Sequence, residues 1–257
     1  GFRIYQLEDE AADFSVPLFT QRAIQLDESH GGKILTSQDL SVSNSVISQI
    51  DTEGEVLNVN SSSIGNIAAQ TDSITLTNSS AEAVEIQTGS LVLQSATVNS
   101  ISAEQSAEIT LTNSEVINSE GAGITMTGDT STLTLSFATI SGHDSHGINI
   151  LSNQGQLNMT NSIVSNNSGD GINSNITSHL NYATITQNEG MGWDAGTAGS
   201  SMESIITNSI ISNNDDGAFD ASVLLHEYNY IGNYPQFQEG SYMLEAYSPC
   251  VDAAMPW

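Results

Sequence analysis

The 257-residue chain is long enough for one large domain or two ordinary ones, and it carries a formal charge of -27. Asp and Glu number 30, close to ordinary usage, so the imbalance comes from having only three basic residues, Arg3, Arg22 and Lys33. No basic patch can form beyond Lys33, which excludes nucleic acid and anionic membrane surfaces as partners and leaves cations, neutral glycans or basic protein surfaces.

Residues 1–33 read as an N-terminal cap. Leu18, Phe19, Ile24 and Leu26 in "YQLEDEAADFSVPLFTQRAIQLDESHGG" would cover the open apolar end of a solenoid, as a short helix plus strand. The opening "GFRIYQ" lacks the anatomy of a signal peptide, so an extracellular location implies a signal already removed.

Residues 34–222 repeat. Aligning the strand-like stretches on their alternation of apolar and polar residues gives a column Val42, Val59, Leu76, Leu93, Leu111, Leu135, Met159, Leu180, Ile206. Its spacings are 17, 17, 17, 18, 24, 24, 21 and 26. Five residues later a second column reads Ile47, Ile64, Ala81, Val98, Val116, Ile140, Val164, Ile185, Ile211, eight of the nine being β-branched. Stacked parallel strands want such residues on their inward face. The expected fold is all-β, a parallel β-helix with narrow coils of 17–18 residues followed by wider coils of 21–26. Coils of unequal length break the strict hexapeptide rhythm of left-handed β-helices, so the helix is expected to be right-handed. A third column, Asn44, Ser61, Asn78, Ser95, Asn113, Phe137, Asn161, Tyr182, Asn208, places asparagines where amides bond from coil to coil or satisfy the backbone at a bend.

The added length of the wide coils falls in "NSEGAGI", "GHDSHGI", "NNSGDGI", "QNEGMGW" and "NNDDGA". Gly123, Gly147, Gly171, Gly192 and Gly217 precede apolar residues that follow the first core column by 13, 13, 13, 13 and 12 positions. These glycines supply either a positive φ or a close backbone approach.

Residues 223–257 abandon the repeat, and Pro235, Phe237, Met243, Leu244, Ser248, Pro249, Asp252 and Ala253 mark a closing segment. This tail, with "NSIVSNNSGDGI" and "NSIISNNDDGA", resembles secreted bacterial right-handed parallel β-helix repeat proteins of the pectate-lyase-like fold, over residues 110–257. The resemblance implies an extracellular or cell-surface location. It leaves activity open, since such proteins include lyases, hydrolases, epimerases and non-catalytic adhesins. The lone Cys250 excludes a disulfide framework and is expected as a small buried residue.

The wide-coil corners hold the candidate chemistry. One column reads Glu120, Asp144, Ser168, Glu189, Asn214; another Ala122, His146, Asp170, Met191, Asp216, with His146 and Asp170 about 5 Å apart on neighbouring coils. Carboxylates stacked that closely must be solvated, protonated or bridged by a cation, and Glu120, Asp144, Asp170 and Glu189 are the candidate calcium ligands. For an enzyme, a lyase base would be His146 or Tyr182, and hydrolase carboxylates would come from Asp170, Asp215 and Asp216. "SHGINI" looks like the Gly-His-Gly segment of polygalacturonases, whose basic substrate-binding residues have no counterpart here. Tyr182 and Trp193 are candidates for stacking on sugar, or inward core residues. The expected function is a secreted non-catalytic β-solenoid, a surface, adhesive or structural module contacting polysaccharide, calcium or another surface protein. The alternatives are a polysaccharide hydrolase or lyase, and a fibre subunit that associates end to end.

Overall fold

The computed structural model describes residues 2–3, 18–20, 24–152, 154–195, 204–220 and 225–251. Among them every regular element is a β-strand, and the strands form two parallel sheets, of 12 and 16 strands, which alternate along the narrow coils, whereas the wide coils place two consecutive strands in the larger sheet. The chain is a right-handed parallel β-helix, each coil stacked on the last.

Both core columns are the observed register. Val42 pairs with Val59, and the line runs through Leu76, Leu93, Leu111, Leu135, Met159 and Leu180 to Ile206. Ile47 pairs with Ile64, and that line runs to Ile211. All eighteen residues are 4% exposed or less. Continuous apolar stacks of this kind, with hydroxyls and amides alternating outward, are what parallel strands need on a one-sided core.

The third column marks the corner between the sheets, and the reason for its asparagines is the backbone. Its nine residues have φ between 49° and 53°, a left-handed conformation that Asn tolerates better than most residues. Their amides do not bond to one another; Asn44 Nδ2 donates to Asp27 Oδ1 at 3.0 Å and Asn208 Nδ2 to Asn181 Oδ1 at 3.1 Å.

One residue further on lies a hydroxyl ladder that sequence alternation does not announce. Ser62 Oγ accepts the Ser45 N–H at 3.0 Å while donating to Asn60 O at 2.8 Å. The same double bond recurs at Ser114 and Ser162, which accept from Ala96 and Ala138 N–H. Ala96, Ala138 and Ala183 interrupt the ladder.

Pairing begins earlier and ends later than the repeat alone suggests. Phe2–Arg3 and Ile24–Asp27 belong to the 12-stranded sheet and Leu18–Thr20 and His30–Thr36 to the 16-stranded one, with Leu26 paired to Val42 and 3% exposed. Residues 4–17 and 21–23 of the expected cap, including Arg22, lie outside the described residues. At the other end Leu225–Glu227 and Tyr230–Gly232 still continue both sheets. The tail then folds back: Phe237 and Leu244 form an antiparallel bridge, Ser248 Oγ donates to Pro235 O, and Tyr242 OH donates to Ser165 Oγ at 2.7 Å. Met243 of this tail is 64% exposed, Pro249 is exposed, and Asp252 and Ala253 lie outside the described residues. Cys250 is 8% exposed, and burial pushes its thiol pKa up.

The narrow and wide coils meet at strand Thr97–Ala103, which pairs with both Glu115–Ile117 and Ile124–Met126 of the next coil. Asn99 and Ser100 alone separate Val98 from Ile101, where the wide coil places residues 117–123 between Val116 and Ile124. Most of the added length therefore builds one extra corner.

The serine ladder gives a paired test. Ser162→Ala leaves the Ala138 N–H and Thr160 carbonyl without a hydroxyl and is expected to lower stability by about 1 kcal/mol. Ala138→Ser supplies a missing rung and is expected to raise it by roughly 0.5–1.5 kcal/mol. Urea denaturation of both variants measures the two shifts; equal signs would refute the ladder.

Candidate functional site

The extra corner has an inward side and an outward side. Inward, a polar ladder runs along Ser119, His143, Asn167, Asn188 and Asn214, buried from His143 onward. Asn214 Oδ1 accepts both the Asn188 N–H (3.2 Å) and its Nδ2 (2.8 Å), and Asn188 Oδ1 takes the same pair from Asn167. Asn188 Nδ2 also reaches Val164 O at 3.4 Å, and Asn214 Nδ2 donates to Ile185 O at 3.2 Å.

His143 is one rung of this ladder. It is 1% exposed, its backbone N–H donates to Asn167 Oδ1 at 3.2 Å, and its Nδ1 accepts the Ser119 N–H at 3.2 Å. Nε2 lies 3.0 Å from Val116 O, and a carbonyl only accepts, so Nε2 carries the proton and the ring is the neutral tautomer. The imidazole thus bonds as an asparagine side chain does elsewhere in the column. Burial pushes its pKa below the ordinary value, against the opposing pull of the Val116 carbonyl and the Asp144 carboxylate.

The corner glycines serve close approach. A Cβ at Gly123, Gly147, Gly171 or Gly192 would fall 2.4–2.8 Å from the ladder side chain of the following coil: His143 Nε2, Asn167 Nδ2, Asn188 Nδ2 and Asn214 Nδ2 in turn. None of these four has a positive φ. Gly217 does, at 114°, and it stands in a different column. Trp193 N donates to Ala218 O and Trp193 bridges Phe219, so Ala218 takes the glycine position and Phe219 the core position. The expected spacing of 12 in the last coil is corrected to 13, the same as in the others.

That shift re-sorts the candidate carboxylates. Asp215, rather than Asn214, follows Glu120, Asp144, Ser168 and Glu189 along an exposed ridge, since the Asp144, Ser168, Glu189 and Asp215 N–H groups donate to Ser119, His143, Asn167 and Asn188 carbonyls. Asp216 falls in line with Gly169 and Gly190, and Gly217 takes its place in the column of His146 and Asp170. Asp170 is not on the Glu120, Asp144 and Glu189 ridge, and Ser168 separates Asp144 from Glu189. Among the described residues no three His, Cys, Asp or Glu side chains come together to hold a metal ion.

The structure does bring His146 and Asp170 together, with Nδ1 and Oδ2 3.2 Å apart. One nitrogen of the imidazole and one oxygen of the carboxylate bond to neighbouring backbone. His146 Nδ1 accepts the Asp170 N–H at 3.0 Å, and Asp170 Oδ1 accepts the Met191 N–H at 2.7 Å. Gly190 permits that last bond, because its Cβ would lie 2.3 Å from Asp170 Oδ1. Asp216 stands two coils on, about 10 Å along the axis. Trp193 is 0% exposed and donates to Ser174 O, so it is core and unable to stack on a ligand. Tyr182 is 45% exposed at the corner between the sheets.

Two concavities lie over the narrow coils. One, of about 810 Å³, is walled by Asp51, Glu53, Glu85 and Glu104 over Ala69 and Ile86, with Lys33 paired to Asp51. The other is a shallow trough of about 620 Å³ along the left-handed corner, lined by Asn44, Ser61, Asn78 and Ser95 and by their Ser, Thr and Val neighbours, with no charged group. Neither is announced by a motif; the trough's signal was the third column itself.

Comparison of the chain with family models, curated proteins and solved structures finds no match.

Two outcomes follow from the ladder. The folded-state pKa of His143 lies below its ordinary 6.5, so the unfolded chain takes up the proton first as pH falls below that value. Stability present above pH 6.5 is therefore expected to be lost toward lower pH, and His143→Asn, which keeps the column's bonding, should remove this component from melting curves compared at pH 7.5 and 5.5. Gly171→Ala forces a methyl against Asn188 Nδ2, Ile185 Cγ2 and Gly192 O, and a loss of roughly 1–3 kcal/mol is expected in the same assay.

Proposed function

We propose that this chain is a non-catalytic extracellular β-solenoid that acts as a glycan-binding surface module. The observation that carries the reading is the trough of Asn and Ser side chains along the corner between the sheets, an open channel of amides and hydroxyls without a charge. Such groups both donate and accept, which suits a neutral polyhydroxylated ligand. A chain of formal charge -27 repels polyanions and has no cluster of basic residues to hold a uronate.

The corner residues support the non-catalytic half of the reading. A general base needs a free lone pair, and that of His146 Nδ1 faces the Asp170 N–H. Asp170 Oδ1 is held by the Met191 N–H, and among the described residues Asp170 belongs to no cluster of three His, Cys, Asp or Glu side chains. Its partners fit a structural brace between coils.

Isothermal calorimetry against a panel of neutral and acidic oligosaccharides, run alongside reducing-end assays, tests both halves. Binding of a neutral glycan without release of new ends is expected, unchanged in Asp170→Asn and Asp216→Asn. Turnover that disappears in those variants would overturn the non-catalytic reading, and failure to bind any glycan would overturn the other half.

A further inference from the structure

The left-handed corner continues beyond the trough into the wide coils, and its chemistry changes there. Phe137, Tyr182 and Tyr228 replace Asn and Ser at φ of 53°, 53° and 56°, and they are 59%, 45% and 43% exposed. Both properties work against an aromatic residue. A left-handed backbone disfavours bulky side chains, and a ring in water forfeits the burial that normally accounts for it. Asn161 and Asn208, at the same position on the coils between, have the residue type this backbone favours. The fold therefore does not explain the three rings.

Their order does. Backbone bonds from Phe137 N to Thr160 O, Asn161 N to Asn181 O, Tyr182 N to Thr207 O and Asn208 N to Glu227 O show these residues on successive coils, so a ring recurs on every second one. At the spacing of parallel strands the rings repeat about every 10 Å along the axis. Two units of an extended β-1,4-linked pyranose chain span a similar length. Successive units of such a chain are flipped, so the same apolar sugar face returns at every second unit and can stack on every ring. α-1,4 and β-1,3 chains curve and lose register over three platforms.

We propose that Phe137, Tyr182 and Tyr228 form a three-ring platform for a neutral β-1,4-linked polysaccharide lying parallel to the solenoid axis. The Asn and Ser trough continues the same line over the narrow coils and bonds the hydroxyls of the chain. This rests on the reading of the molecule as a glycan-binding module and specifies the glycan.

The test uses the whole chain, with cellohexaose and β-mannohexaose against maltohexaose and a β-1,3-linked hexaose. Wild type is expected to bind the β-1,4 hexaoses, more weakly as they are shortened below the length that reaches two rings. Tyr182→Asn should weaken binding roughly tenfold and the triple Asn variant should abolish it. Melting temperatures should not fall, because Asn suits the left-handed corner, which separates loss of a platform from loss of the fold. Binding of other glycans but not of β-1,4 chains would overturn this inference and leave the glycan-binding reading standing. Undiminished β-1,4 binding by the triple variant would overturn the platform alone, and binding of no glycan would overturn both.

Discussion

Along the paired strands of this solenoid each side chain is stacked on its counterpart in the neighbouring coils. Parallel pairing holds equivalent positions about 4.8 Å apart, so a residue type survives in a column only if it is compatible with itself. Aliphatic side chains meet that condition by packing, and the two core columns are the result. Serine, asparagine and neutral histidine meet it because each both donates and accepts, so one rung's acceptor satisfies the next rung's donor. Carboxylates fail it unless water separates them. Glu120, Asp144, Glu189 and Asp215 stand accordingly on the exposed side of the corner, one residue beyond the buried ladder.

The same constraint explains how the coils widen. Adding a corner to a stacked coil creates a bend whose backbone groups turn inward, where unpaired polar atoms are costly. The ladder from Ser119 to Asn214 satisfies them, and the glycines at 123, 147, 171 and 192 leave room for its side chains. Ladder and glycines are one device. His143 shows how far the device tolerates substitution: an imidazole replaces an amide once its tautomer is set, at the cost of a proton-sensitive rung.

The core was legible in the sequence because burial imposes period two on each strand and the repeat imposes it again on every coil. Val42 to Ile206 and Ile47 to Ile211 carry that signal twice over. The polar columns were legible only in part. Asparagines at 44, 78, 113, 161 and 208 mark a left-handed backbone, whereas those at 167, 188 and 214 hold a hydrogen-bond ladder, and the letter is the same. The last corner is hard to register from sequence because Gly217 resembles the other corner glycines, although its φ of 114° gives it a different task. The hydrogen bond from Trp193 N to Ala218 O and the bridge from Trp193 to Phe219 distinguish the two. The serine ladder is not legible in the sequence because a serine beside a turn is too common to be a signal without its bonds.

Self-stacking also limits what such a molecule can recognise. Convergent sites need unlike groups brought together from different directions, and a column supplies like groups along a line. His146 and Asp170, the one unlike pair among the candidate residues that the stacking does bring into contact, bond to backbone groups on adjacent coils. A linear array instead selects a ligand that is itself periodic, adding a small interaction at each repeat and losing all of them when the periods disagree. Three exposed rings on alternate coils are therefore more informative than any single residue of the chain, since their interval can be compared with the repeat of a polymer.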